Sequence, residues 1–225
     1  LTQAISAIII IPVFNGRDSL IKLLRSIKGL GYEDVLIIND GSTDGLSQAD
    51  IEPFQFIQHD RNRGKGAALR SGLAYASSHG FTHAVSLDAD GQHDPELIKD
   101  FLSVSALLPQ HLVVGKRDFV HHSMPIHRKL SNHITSLMLS LRTGVRIHDS
   151  QVGYRVYPLY DSRLWDSNEA GFQFESDVFF RLAPLKLGLR WISIPVIYGE
   201  QDSHMDLVRD TLRFVRMFIR SLINF

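Results

Sequence analysis

Between Ser86 and Glu96 the chain reads SLDADGQHDPE, which gathers four carboxylates, an amide and an imidazole at the end of an apolar run. Such a cluster is either a solvated loop or a cation site whose self-repulsion a bound metal offsets. In Asp88-Ala89-Asp90 the carboxylates flank one small residue, and two neighbours of this spacing serve one site only where the strand ends and turns, as Gly91 permits. One carboxylate can then face a ribose and the other a metal. Hard oxygen ligands of this kind suit Mg²⁺ or Mn²⁺, which take few protein ligands and leave positions for water and a substrate phosphate. Gln92, and after it His93, are the candidates to complete the shell. Asp94-Pro95-Glu96 has a simpler reading as helix cap, first-turn proline and dipole-complementing acid.

Two further polar stretches follow apolar runs in the same way: Pro12, Phe14 and Asn15 in IPVFNG, and Asp40 and Asp44 in NDGSTDG. By itself NDGSTDG reads equally well as a turn leading into a helix cap. Several such loops at strand ends favour one cleft, where Asp40 would accept hydrogen bonds from a base or a ribose hydroxyl. The stretch NRGKGAALRSG lacks the spacing of a Walker phosphate loop. Gly66, Ala67, Ala68 and Gly72 read as a small-residue helix face packed on a sheet, with Lys65 and Arg63 bordering the nucleotide.

The elements that must hold these loops alternate. Runs of strand length (SAIIIIPVF, DVLIIND, FQFIQH, THAVSLDAD) are separated by helical patterns at Asp18–Leu30, Gly64–Ser78 and from Pro95 onward. Strands this uniformly apolar imply a mainly parallel, doubly wound α/β sheet with helices on both faces. In such sheets ligands bind beyond the carboxyl ends of the strands. The second half is less regular, with strands at HLVVGKRDF, SQVGYRVYP and LRWISIPVIYG and helices at Ile126–Leu141 and Phe174–Leu187. One domain over 1–225 is expected: a nucleotide-binding half to about 115, an acceptor-binding half over about 116–205, and a C-terminal amphipathic helix over 206–225.

Lys plus Arg equals Asp plus Glu at 24 each, which argues against a general nucleic-acid binder. With no cysteine, disulfide and thiolate-metal frameworks are excluded. The eleven histidines place no convincing pair on one helix face with a third ligand, so a zinc site is not expected. Trp165 and Trp191 are assigned to the core. AISAIIIIPVF is too short for a membrane span, lacks signal-peptide flanks and reads as a buried strand; the expected location is the cytoplasm or the cytoplasmic membrane surface. The chain opens on Leu1, as expected of a piece of something longer.

Taken in order and spacing, IPVFNG, INDGSTDG, NRGKGAAL and DADGQHDPE resemble the family 2 glycosyltransferases of GT-A fold, most closely their polyprenyl-phosphate branch, typified by dolichol-phosphate mannose synthases. The likeness extends to GKR at Gly115–Arg117, RKLS at Arg128–Ser131, DSQVGYRVY at Asp149–Tyr157 and SHM at Ser203–Met205. It implies inverting transfer from a UDP- or GDP-sugar with Mg²⁺ or Mn²⁺ bridging the diphosphate. By position it assigns Asp88, Asp90 and Gln92 to the metal, and Pro12, Phe14, Asn15, Asp40 and Asp44 to the nucleotide pocket, beside Lys65. Arg117, Arg128 and Ser131 match positions that hold an acceptor phosphate. Paired guanidinium donors are suited to that task, with surface ion pairing as the simpler account.

A phosphate acceptor is already an anion, whereas a hydroxyl acceptor needs a base. Asp149 is the first candidate for one, followed by Glu175 and Asp177, whose alternative is the polar face of an amphipathic helix. Where the branch carries lysine in its SHM counterpart, this chain has His204. The tail repeats Arg209, Arg213, Arg216 and Arg220 beside an apolar stripe. This pattern fits either a helix lying on an anionic membrane surface or one packed on the protein. Transfer to a glycan or lipid hydroxyl, and a non-catalytic nucleotide-sugar-binding module, stand as rival readings. A nucleotidyltransferase ranks lower because its glycine-rich, lysine-bearing first loop is missing.

Overall fold

Ile8, Ile9, Ile10 and Ile11 offer no polar face, so the strand they form has to be covered on both sides and flanked on both edges. In the computed structural model this strand, β1 (Ala7–Val13), lies inside a seven-stranded sheet of order β3-β2-β1-β4-β6-β5-β7. The structure describes residues 5–117, 126–195 and 207–224, with side chains for 5–117, 131–195 and 211–222. The remaining strands are β2 (Val35–Asn39), β3 (Gln55–Gln58), β4 (His83–Ser86), β5 (His111–Arg117), β6 (Arg155–Pro158) and β7 (Gly188–Ile194). The helices are α1 (Arg17–Gly29), α2 (Lys65–Ser78), α3 (Ile98–Leu107), α4 (Ile126–Thr143), α5 (Gln173–Leu182) and α6 (Leu207–Asn224).

β1 pairs in parallel with β2 and β4, β2 with β3, and β5 with β7, while β6 runs against both β4 and β5. The sheet is therefore mainly parallel with one reversed strand. Because β1 to β2 and β3 to β4 cross in opposite directions, right-handed connections put α1 and α2 on opposite faces. Gly72 of α2 shows why its small residues matter: a Cβ there would stand 2.9 Å from Ile38 Cδ1 in the sheet below. Gly66 serves a different contact, since its Cβ would meet the Phe174 Cβ of α5 at 2.6 Å.

The reversal of β6 positions the site. Its register sets Arg155 opposite both Ser86 at the end of β4 and Val114 in β5. The residues just before β6 consequently emerge at the edge where β1, β2, β4 and β5 deliver their carboxyl ends. β6 is shorter than the run SQVGYRVYP suggests because Ser150 to Gly153 are held by side chains instead of a neighbouring strand. Arg155, wholly buried, donates to the carbonyls of Ser150, Val152 and Glu175 at 3.1, 2.9 and 2.6 Å. α5 stops at Leu182 instead of reaching 187, as the Leu187 N–H returns to the Leu182 carbonyl through Lys186 at φ 55°. Trp165 is buried, and Trp191 packs on the core while partly exposed.

Candidate active site

The loops after β1 and β2 are joined by side chains. The Asn15 N–H donates to Ser42 Oγ at 2.9 Å, and Asn15 Oδ1 accepts the Thr43 N–H at 2.8 Å. Asp44 Oδ2 accepts the Arg17 N–H at 2.9 Å and so caps α1 from the neighbouring loop. Pro12 sits in β1 opposite Ile38, and Phe14 is half-buried beside it. Asp40 is buried and turned toward the 60–64 segment. Its Oδ1 lies 2.6 Å from His59 Nδ1 and accepts the Arg63 N–H at 3.0 Å, while its Oδ2 accepts the Gly64 N–H at 2.7 Å. The polar atoms of Asn15, Asp40 and Asp44 are thus engaged in holding these loops together.

Gly64 leads into Lys65, the first residue of α2. The Lys65 ammonium reaches 2.6 Å from Asp88 Oδ1 and 3.1 Å from Glu175 Oε1, with the Phe172 ring centroid 5.7 Å away. Arg63, Gly64 and Lys65 therefore connect the acidic loop after β2 to the one after β4. Burial works against the Lys65 charge, but Asp88 and Glu175 outweigh it and raise its pKa. Burial likewise opposes ionisation of Asp88, and Lys65, followed by His93, pulls its carboxyl below the ordinary value. Glu175, 2% exposed, is pushed up by burial that Lys65 only partly offsets.

Behind Asp88 stands Gly153, where any Cβ would lie 2.5 Å from Asp88 Oδ2. The Asp88 N–H donates to Nδ1 of the buried His93 at 3.1 Å, so that nitrogen carries no proton; burial also lowers the His93 pKa. Asp90 Oδ1 accepts the Gln92 N–H at 2.9 Å across Gly91, which takes φ 74°. The Asp90 carboxyl is raised by burial and next by Asp88. Asp94 caps the following turn by accepting the Glu96 N–H at 2.9 Å, as Asp94-Pro95-Glu96 suggested.

Two adjacent carboxylates, one repelled by the other, suit a divalent cation. Among the described residues no three His, Cys, Asp or Glu side chains gather as a closed metal cage. Oxygen donors of this kind are what a hard divalent cation takes.

On the far side of Gly153, Arg117 at the end of β5 grips Asp149 with Nε to Oδ2 at 2.7 Å and Nη2 to Oδ1 at 2.9 Å. Asp149 is 0% exposed. Burial disfavours its charge, yet Arg117 holds its carboxyl below the ordinary range. Asn132 of α4 adds Nδ2 to Asp149 Oδ1 at 3.0 Å, and its Oδ1 accepts the Ser150 N–H at 3.2 Å. Asp88, Gln92, His93, Arg117 and Gln151 line one hollow.

Ser131 sits half-buried one residue before Asn132. Arg128 belongs to α4, but its side chain lies outside the described residues, as do Ser203–Met205. Glu175 and Asp177 are buried, not on a solvent face, because α5 is packed between α2, α4 and α6. Asp177 pairs with Arg181 at 3.0 Å.

Sequence reasoning missed Asn132, Arg155, and the packing of Gly153 against Asp88. It named Glu175 without its partner Lys65. The only signal for Asn132 was the i, i+4 polar series Asn132, Ser136, Ser140.

An open α/β sheet with a reversed strand delivering a polar segment beside paired aspartates is the GT-A arrangement. Solved structures share it. Glucosyl-3-phosphoglycerate synthase from Mycobacterium tuberculosis superposes with a TM-score of 0.73 at 15% identity, covering 97% of this chain and 81% of that one. Mannosyl-3-phosphoglycerate synthase from Rubrobacter xylanophilus superposes with a TM-score of 0.72 at 18% identity, covering 97% and 73%. Residues 8–160 match the family model of Glycosyl transferase family 2, and the chain belongs to that family. It is 30% identical over 206 residues to undecaprenyl-phosphate mannosyltransferase of Micrococcus luteus, covering 86% of this chain and 83% of the relative. It is 26% identical to polyprenol monophosphomannose synthase of Mycolicibacterium smegmatis, covering 87% and 78%.

Proposed function

We propose that this glycosyltransferase moves a sugar, with inversion, from a UDP- or GDP-sugar to a polyprenyl phosphate at the hollow between Asp88 and Arg117. The observation that carries the reading is the pairing of two walls on one hollow: Asp88 with Gln92 on one side, and the Asp149-clamped Arg117 on the other. Asp88, Asp90 and Gln92 would hold the Mg²⁺ or Mn²⁺, which supplies positive charge to the departing diphosphate. Lys65 brings a second positive charge to the same wall. The loops built on Pro12, Phe14, Asn15, Asp40 and Asp44 would seat the nucleoside.

Arg117 presents a planar donor group to the acceptor phosphate, with Ser131 and Arg128 as neighbours on α4. Asp149 spends both oxygens on Arg117, so in this reading it orients the guanidinium and takes no proton. Asp177, tied to Arg181, is likewise not a free base. An ionised phosphate attacks without one, which favours phosphate over a hydroxyl acceptor. The names of the M. luteus and M. smegmatis relatives point to the same acceptor class. A lipid acceptor also favours placement of α6 at the membrane surface.

Thermal melts across nucleotide-sugars with Mn²⁺ test the donor side, since a ligand that binds the folded form raises its apparent stability. One donor should stabilise the wild type and fail to stabilise Asp90→Ala. Transfer of a labelled sugar to polyprenyl phosphate tests the acceptor side. The product should release its sugar in mild acid; a linkage that survives would move the acceptor to a hydroxyl, and binding without any turnover would leave a binding module.

A further inference from the structure

Strands β2 and β3 end side by side, with Asn39 opposite Gln58, and the first residue beyond each end is buried: Asp40 at 3% exposed and His59 at 5%. The His59 N–H donates to the Asn39 carbonyl at 2.9 Å, which sets the imidazole beside the Asp40 carboxylate. Asp40 Oδ1 accepts the Arg63 N–H as well, so it is an acceptor, and the His59 Nδ1 at 2.6 Å from it carries the proton. The other ring nitrogen, Nε2, lies 2.9 Å from Ser71 Oγ in the middle of α2, and in the neutral ring it accepts that hydroxyl. The imidazole is thus held at both ends.

Serine, histidine and aspartate in this order are also the parts of a hydrolytic nucleophile. Ser71 does not serve as one, because it stands inside a helix whose N–H groups are spent on helical bonds and leave no pair to receive an oxyanion. The other end of the chain points to the site. Gly64, which opens α2 at φ 93°, has no capping side chain, and the first turn of α2 contains no acid. Asp40 supplies both from another loop: it accepts the Arg63 and Gly64 N–H groups at 3.0 and 2.7 Å and sets a negative charge at the positive end of the helix. Gly41 leaves no slack between the two turns, since a Cβ there would run into the Arg61 backbone. The residue after Gly64 is Lys65, whose ammonium reaches Asp88 Oδ1 at 2.6 Å. The 61–64 turn and Lys65 therefore depend on one carboxylate, and that carboxylate on one imidazole.

We propose that His59 is a positioning residue of the donor side, holding Asp40 under the 61–64 turn so that the turn and Lys65 stand in place before a nucleotide arrives. The inference rests on the reading that these loops seat the nucleoside, and it adds that Asp40 acts there through the turn it caps. Order already present in the free protein does not have to be supplied from the binding free energy of the nucleotide.

Asparagine and glutamine separate the two nitrogens, because the Asn amide nitrogen falls where Nδ1 lies and the Gln amide nitrogen where Nε2 lies. Titration calorimetry with UDP and with GDP, each with Mn²⁺, reads the affinity. For the nucleotide that the wild type binds, His59→Asn should stay within about threefold, whereas His59→Gln and His59→Phe should weaken binding roughly tenfold or more, the size expected when a turn has to be ordered on binding. In the same two variants the donor KM should rise more than the acceptor KM. If His59→Phe fails to fold, the Asn and Gln pair still decides. Unchanged affinity in both, with only the melting temperature lowered, would make His59 a purely structural residue and overturn the proposal. An equal loss in both would overturn it as well, because the bond to Asp40 would then not be the source. Binding of neither nucleotide by the wild type would instead remove the nucleoside-seating reading, and the proposal with it.

Discussion

Lys65 Nζ lies 2.6 Å from Asp88 Oδ1 and 3.1 Å from Glu175 Oε1, so one ammonium at the start of α2 serves carboxylates from the loop after β4 and from α5. Without it, the buried Glu175 and the half-buried Asp88 would lack this shared counter-charge. Lys65→Met should cost about 3–5 kcal/mol at pH 7, the range for removing one partner of a buried pair. The deficit should shrink toward pH 5, because carboxyls whose folded pKa has risen lose stability as pH rises and recover it on protonation. Mn²⁺ should raise the melting temperature more in this variant than in the wild type, since the metal then meets no resident cation at Asp88. An equal or smaller shift would show that Lys65 does not compete for that carboxylate.

Gly153 is glycine because of its neighbour. A methyl group there would stand 2.5 Å from Asp88 Oδ2 and would have to push the carboxylate away from its present place. Gly153→Ala should fold with an unchanged far-ultraviolet circular dichroism spectrum and lose roughly 100-fold in turnover, as expected where a reacting geometry shifts by about 1 Å. Activity within threefold of the wild type would mean that Asp88 has room to adjust.

The architecture was readable because its signals are local. Uniformly apolar strands such as Ile8–Ile11, glycine-punctuated turns and the Asp94-Pro95 cap each depend on a few adjacent residues, and they outlined the sheet and the acidic loops. What could not be read depended on pairing between distant segments. That Asp149 neutralises Arg117 and that Gly153 backs Asp88 follow from the reversed β6, whose direction no periodicity discloses, and that Lys65 joins Asp88 to Glu175 follows from the packing of α5 on α2. In α4 the buried face sets Asn132 and Ser136 beside Leu139, because it bonds to the Ile147–Ser150 segment.

Asp149 gives the site an acid-sensitive limb. Its carboxyl is held below its ordinary value of 3.8, so its contribution is present above that pH and lost as pH falls through the lower folded value. Asp149→Asn keeps the shape and removes the charge facing Arg117. It should lose about 3 kcal/mol at pH 7 in urea titrations, with the difference from wild type narrowing below pH 4. If the difference is the same at pH 7 and pH 3, the Arg117 pair is not its source. In the same variant the acceptor KM should rise more than the donor KM, because the carboxylate that orients Arg117 is gone.

Asp90 behaves in the opposite sense. Burial, and then Asp88, raise its carboxyl above the ordinary value. A raised acid contributes fully below its unfolded pKa and costs stability as pH rises through the folded one, so at neutral pH ionised Asp90 is a burden on the metal-free protein. Asp90→Asn keeps an oxygen to accept the Gln92 N–H, which now bonds to Asp90 Oδ1 at 2.9 Å, and it relieves the repulsion from Asp88. Its metal-free melting temperature should match or exceed that of the wild type by a few degrees, while the stabilisation by Mn²⁺ should disappear. The two halves together separate a site residue from a structural one: a carboxylate that held the fold would lower the metal-free melting temperature when replaced. One with no part in cation binding would leave the Mn²⁺ shift intact.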